Sequence, residues 1–200
     1  MKLYSYVVRF DFGFAPNPFF GVCTLATCKP LVRKKARVGD WVVGTGSKRY
    51  ALEGRLAYAM VVGELLTFDE YWNDPRFQKK KPNLRGSIKQ AYGDNIYHRN
   101  PKNNRWIQED SHHSLPDGRP NLENIRHDTK ADRVLVGSQF AYWGAIGPLI
   151  PSRFRKSGGI NVCAGRGHKC RFSEEFVDSF VSWVKSLSLK GYLGPPSEFR

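Results

Sequence analysis

The chain has 200 residues, 40% of them hydrophobic and 14% aromatic, and sets 32 Lys and Arg against 18 Asp and Glu for a formal net charge of +14. So much apolar content excludes a disordered chain, and no apolar stretch is long enough to cross a bilayer. The charge points to an anionic partner, phosphate first, because Lys and Arg on a phosphate backbone release counterions.

Residues 2–10 (KLYSYVVRF) are rich in Tyr, Val and Phe and predict a buried first strand rather than a signal peptide. Residues 12–21, FGFAPNPFFG, hold two Pro and two Gly and exclude regular structure; their four Phe either fold back on the core or line a pocket. Residues 22–28 predict a short strand, and Pro30 suits the first position of a helix running to Ala36. Gly39-Asp40 makes a turn, residues 41–44 a buried strand, and 44–48 a tight Gly-Thr-Gly-Ser-Lys loop. Residues 56–66 (LAYAMVVGELL) predict one long central strand. Thr67 caps a short helix with Asp69 and Glu70 in its first turn, and Pro75 ends it.

Residues 76–133 break this rhythm. They are polar, basic and aperiodic, an insertion long enough to be functional, and Tyr92, Ile96, Tyr97, Trp106 and Ile107 anchor it as an ordered excursion. Strands resume at 134–138 and 140–144, and 145–171 is again loop-like. The clearest helix spans about 173–188: Ser173 caps it, and Phe176, Phe180, Trp183, Val184 and Leu187 form one apolar face. No linker divides the chain, which predicts a single α+β domain over residues 1–200.

Charge is clustered: five basic residues from Lys29 to Arg37, six from Arg76 to Lys89, and six plus His168 from Arg153 to Arg171, with no acid in any of the three. No basic amphipathic helix offers itself to a membrane surface, so the expected partner is a nucleic acid or a nucleotide. Without an export signal, Cys23, Cys28, Cys163 and Cys170 are expected as reduced thiols in a cytoplasmic protein. Zinc on Cys23, Cys28, Cys163, His168 and Cys170 is the minor alternative, since neither cluster has the usual two-residue spacing; no metal or other cofactor is assigned. A nucleophilic cysteine needs an activating base, and none is evident nearby in sequence. His98, His112, His113 and His127 supply acid–base candidates, and Asp94, Glu109, Asp110, Asp128 and Asp132 are the available acids.

The string APNPFFGVCTLATCKPLVRKKARVGDWVVGTGS, with AYGDNIYHR and QFAYWG following in order, resembles the family called nucleotide-modification-associated domain 2, from Tyr4 to about Pro151. The resemblance implies a setting of DNA modification and phage–bacteria conflict, with a partner enzyme of such a system. A fainter likeness of arrangement, to PUA-like domains of the EVE, ASCH and YTH kind, implies a mixed β-barrel that accepts a modified base. On that pattern Arg33 stands in the helix before the strand, Ser47 at the pocket lip and Asn17 in the loop. The chain departs from it in lacking an aromatic before Ser47.

Two readings follow. In the first, a PUA-like domain binds a base: Tyr97 and Trp106 stack on it, Asn17, Asn95 and Gln108 read its edge, and Lys29, Arg33, Lys48, Arg153 and Arg155 hold phosphate. In the second, the protein is an enzyme acting on bases or nucleotides (a transferase, glycosylase or nuclease), with Asp94, His98 and His113 as the acid–base set.

Overall fold

A computed structural model of the chain describes residues 1–155 and 160–199. Strand β1 (Leu3–Val7) leads through the Phe-rich loop to β2 (Cys23–Leu25) and helix α1 (Pro30–Lys35). Strands β3 (Trp41–Thr45), β4 (Leu56–Val61) and β5 (Glu64–Leu66) precede α2 (Phe68–Asn73). The insertion contributes α3 (Ile88–Ala91), the hairpin β6 (Tyr97–Arg99) and β7 (Trp106–Gln108), and α4 (Leu122–Asp128). Then come β8 (Val134–Gly137), β9 (Phe140–Tyr142), β10 (His168–Lys169), α5 (Glu174–Ser186) and β11 (Gly191–Tyr192).

A six-stranded sheet runs β10-β1-β3-β4-β9-β11, with β1 parallel to β3 and β4 antiparallel to both β3 and β9. A three-stranded sheet, β2-β8-β5, lies beside it, and β6-β7 forms a third. The α+β class expected from the sequence holds, but no sheet among the described residues closes into a barrel.

Strand alternation sorts the core into layers. Leu3, Trp41, Val43 and Ala59 face α5, whose Val177, Phe180, Val181 and Val184 cover that side. Tyr4, Tyr6, Val42, Tyr58 and Met60 face the other way, onto Leu25, Leu135 and the Val32 and Ala36 side of α1. Beyond the smaller sheet, Phe68, Tyr71, Phe77, Ile96 and Tyr97 pack against Ala26, Val134 and Val136, which fastens the insertion to the body. Each such side chain contributes about 1.5–3 kcal/mol on full burial, so the excursion is held by a core of its own.

Local signals explain the ends of the helices. Pro30 opens α1, the Thr67 hydroxyl and Glu70 close a reciprocal capping box on α2, and Ser173 Oγ accepts from the Phe176 N–H at 3.3 Å. One expectation fails: residues 56–66 are two strands. The Gly63 N–H donates to Val136 in the smaller sheet, so the chain changes sheets at the glycine and an apolar run serves two layers.

Candidate functional site

A cleft of about 760 Å³ opens between the end of β1, the start of α1 and the insertion. Its walls are aromatic: Tyr6, Phe10, Phe12 and Phe14 from the β1 side, with His112 and His113 opposite. Phe12 lies 4.4 Å from the His112 ring and stacks on Tyr92 at 5.1 Å; Phe14 lies 4.6 Å from His113. Arg9 and Lys29 bring positive charge to the lining, where Arg49 is paired with Glu198 at 3.5 Å, and Lys29 Nζ stands 4.8 Å from the Tyr6 ring centre. Of the four Phe in the loop, Phe12 and Phe14 line the pocket, and Phe14 is buried in the core as Phe19 is.

On the floor lies a chain of three side chains. Cys28 Sγ is 3.7 Å from His113 Nε2, and His113 Nδ1 is 2.9 Å from Asp128 Oδ2. The buried Asp128 carboxylate also accepts from the Cys28 N–H at 2.8 Å, from the Tyr97 hydroxyl at 3.0 Å and from His127 Nδ1 at 3.1 Å. Gln108 Nε2 donates to Tyr97 Oη at 3.0 Å and to the His113 carbonyl at 3.3 Å, and the same carbonyl accepts from Asn124 at 2.8 Å. The imidazole is thus fixed at both ends, with Nδ1–H on the carboxylate and Nε2 toward the sulfur. Cys28 and Lys29 both have left-handed backbone, φ 57° and 40°, a conformation that costs about 1–3 kcal/mol each in a non-glycine residue. It is held by Arg33, whose guanidinium donates to the carbonyls of Cys28, Asp128, Ala131 and Arg133 at 2.5–2.8 Å.

The electrostatics follow from these contacts. Burial depresses the His113 imidazole, but the hydrogen bond to Asp128 and the adjacent Cys28 outweigh it and raise the group to about 9. Burial works against the Asp128 charge too, yet hydrogen bonds from His113 and His127 hold its carboxyl well below the usual carboxylate range. His112, among the aromatic rings and beside His113, is lowered to about 4 by burial and then by that neighbour's charge. Cys23 is a different kind of thiol: fully buried in β2, it is pushed up to about 12.

Of the residues expected to form a site, His113 and Lys29 line the cleft, and Tyr97 and Gln108 brace it from behind through their hydroxyl and amide. Others serve the fold. Arg33 is fully buried on backbone carbonyls, so no phosphate reaches it. Asn17 accepts from the buried Lys80 at 2.8 Å and donates to the Tyr92 carbonyl, and Asp94 accepts from Thr24 and Tyr71. Asn95 is buried beneath Tyr71 and Phe77, and Ser47 caps the turn at Arg49. His98 stacks on Trp72 at 4.2 Å and bonds Glu109 on the insertion hairpin; Trp106 lies under Arg99 on the same hairpin. Asp94 and His98 therefore do not join His113, because each is already committed to another network. Lys48 and Arg153 are exposed outside the cleft, and Arg155 donates to the Ile150 carbonyl. Lys156 of the basic cluster lies outside the described residues.

The base that Cys28 lacks in its own neighbourhood comes from 85 residues away, and its carboxylate from 15 further on. Among the described residues no three His, Cys, Asp or Glu side chains are arranged to hold a metal ion, and no helix is long and apolar enough to cross a membrane.

The sequence model of the family described as nucleotide modification associated domain 2 matches residues 1–200, and the chain belongs to that family. No curated protein and no solved structure matches it.

Proposed function

We propose that this protein is an enzyme of nucleotide modification that works by covalent thiol catalysis, with Cys28 as nucleophile, His113 as its acid–base partner and Asp128 as the group that orients His113. The observation that carries the reading is the bridge made by one imidazole, from Cys28 Sγ at 3.7 Å to Asp128 Oδ2 at 2.9 Å, at the bottom of an accessible cleft. A nucleophile, a base and an orienting carboxylate in this order suit acyl transfer.

The step starts from neutral His113: the thiol proton passes to its Nε2 as Sγ attacks the acyl carbon. The S–C bond forms, the bond from that carbon to the departing nitrogen or oxygen breaks, and the departing atom takes the proton from Nε2. A hydroxyl or amine of the acceptor then attacks the thioester, giving its proton to His113 and returning the thiol. The aromatic walls supply stacking for a base, worth about 1–3 kcal/mol per ring, and Arg9 and Lys29 supply charge for phosphate. We assign the base-binding function expected from the sequence to the same cleft, with Phe12 and His112 in place of Tyr97 and Trp106.

Alkylation of the folded protein with iodoacetamide, followed by peptide mapping, tests the reading. Cys28 is expected to react first, and His113→Gln to slow it at least about a hundredfold, the lower end of the range for a positioned acid–base group. Equal rates at Cys28, Cys163 and Cys170, or an unchanged rate in His113→Gln, would overturn it. A pure base-binding module would show that second pattern while still binding nucleotides.

A further inference from the structure

The Cys28 cleft is closed on one side by Gly167 and His168, and His168 also lines a second depression of about 520 Å³. That depression is lined by Lys35, Asn161, His168, Lys169, Arg171 and Phe172, together with Ile160 and Cys170, and contains no acid. Between the two runs the loop Ala164-Gly-Arg-Gly-His-Lys169, with Arg166 exposed and open space around Gly165 and Gly167. Among the described residues none of Lys29, Lys35, Arg166, His168, Lys169 and Arg171 makes an ion pair.

We infer that the two depressions form one track for single-stranded nucleic acid, so that the nucleotide held at Cys28 belongs to a strand whose neighbouring phosphates cross the 164–169 loop into the second depression. This rests on the reading of the Cys28 cleft as a nucleotide site and adds that the substrate is polymeric.

The charge pattern supports it. His168 is depressed by burial and then by the charges of Lys35 and Lys29, one from each depression, so two cations converge on the wall between them without a counterion. A phosphate there relieves that repulsion. Single strands are favoured over duplex because Cys28 lies on the floor of an aromatic cleft, and a stacked, paired base reaches such a floor only after extrusion. The half-buried Phe172 offers ring surface at the far end of the track, its other side stacked on Phe176 at 5.0 Å. Stacking platforms set in a basic groove are the common device of single-strand binding.

The test is fluorescence anisotropy with a labelled single-stranded oligodeoxynucleotide of about 12 residues, within the usual site size of such grooves. Wild type is compared with the double variant Lys35→Ala, Arg171→Ala. Both side chains are exposed, and a thermal melt checks that the variant folds as wild type does. The variant is expected to bind the strand at least about tenfold more weakly, and its slope of log K against log salt to be smaller by about 1.4, at about 0.7 per lost contact. Binding of thymidine monophosphate and the alkylation rate of Cys28 should not change. Unchanged strand affinity in the variant, or a duplex that competes as well as the single strand, would overturn the track. Either result leaves the Cys28 site standing if its alkylation still depends on His113; loss of that dependence instead strikes the catalytic reading alone.

Discussion

His112 and His113 are neighbours in sequence, their rings 6.0 Å apart, and their surroundings drive them to opposite charge states: His112 is lowered to about 4 and His113 raised to about 9. At neutral pH a neutral ring therefore lies in the aromatic wall beside a charged ring on the cleft floor. The difference comes from partners, since His112 packs among Phe12, Phe14 and Tyr92 while His113 has the Asp128 carboxylate.

This split makes stability depend on pH from both sides. His113 is raised on folding, so its contribution is complete below about 6.5, the value for an unfolded histidine, and is lost as pH climbs through about 9. His112 is lowered, so its contribution is complete above about 6.5 and is lost as pH falls toward 4; the exposed edge of its ring makes this the smaller effect. Urea melts across pH 4.5–9.5 (roughly the range between the two values) should show maximum stability near pH 6.5. His113→Gln should flatten the alkaline limb and His112→Phe the acid limb.

Asp128→Asn removes the charge that raises His113 while nearly keeping the shape. The His113 ring, followed by proton NMR, should titrate well below its native value of about 9, and Cys28 alkylation should slow as His113→Gln slows it. The fold should weaken by about 3–5 kcal/mol, the cost of leaving one member of a buried charged set uncompensated. An Asp128→Asn protein whose His113 titrates as in wild type would show that Asp128 does not orient it.

How much of this was legible beforehand depended on the range of the interaction. Helix starts are local chemistry, and Pro30, Thr67 and Ser173 marked α1, α2 and α5 correctly. The insertion was visible as polar sequence with apolar anchors, and Ile96 and Tyr97 do pack into the core. Where the chain changed sheets at Gly63 was hidden, because an apolar run reads alike in one layer or two. The site was hidden for a different reason: Cys28, His113 and Asp128 meet only in space, and each looks ordinary in its own neighbourhood. The available hint was the pair of polar dipeptides His112-His113 and His127-Asp128 inside an otherwise featureless insertion. Arg33 misled in the opposite sense, since a basic residue in a basic cluster suggests a surface and this one is buried behind Cys28 on four backbone carbonyls.

That position gives Arg33 a separate prediction. Arg33→Ala takes the guanidinium donor from the carbonyls of Ala131 and Arg133 and leaves that of Asp128 only the long bond from the Ala131 N–H at 3.5 Å, at about 1–3 kcal/mol for each group left unpaired. Denaturant melts should show a loss of roughly 3 kcal/mol or more. Cys28 should also lose selectivity toward iodoacetamide, because Arg33 Nε holds the Cys28 carbonyl at 2.8 Å. If Arg33 were instead a phosphate ligand, the substitution would spare stability and reduce the salt dependence of nucleic-acid binding.

Phe12 separates holding a base from acting on it. Its ring faces the cleft between His112 and Tyr92. Phe12→Ala should weaken mononucleotide binding by about 1–3 kcal/mol, the worth of one stacking ring, measured by calorimetry at fixed salt. His113→Gln should show the reverse, with binding kept within about threefold and Cys28 reactivity lost, because a group that acts on the reacting atoms contributes little to holding the substrate. Phe12→Ala should leave alkylation by iodoacetamide, which does not use the aromatic wall, near the wild-type rate. Loss of both properties in both variants would mean that the wall and the triad are one structural unit rather than a binding surface placed over a chemical floor.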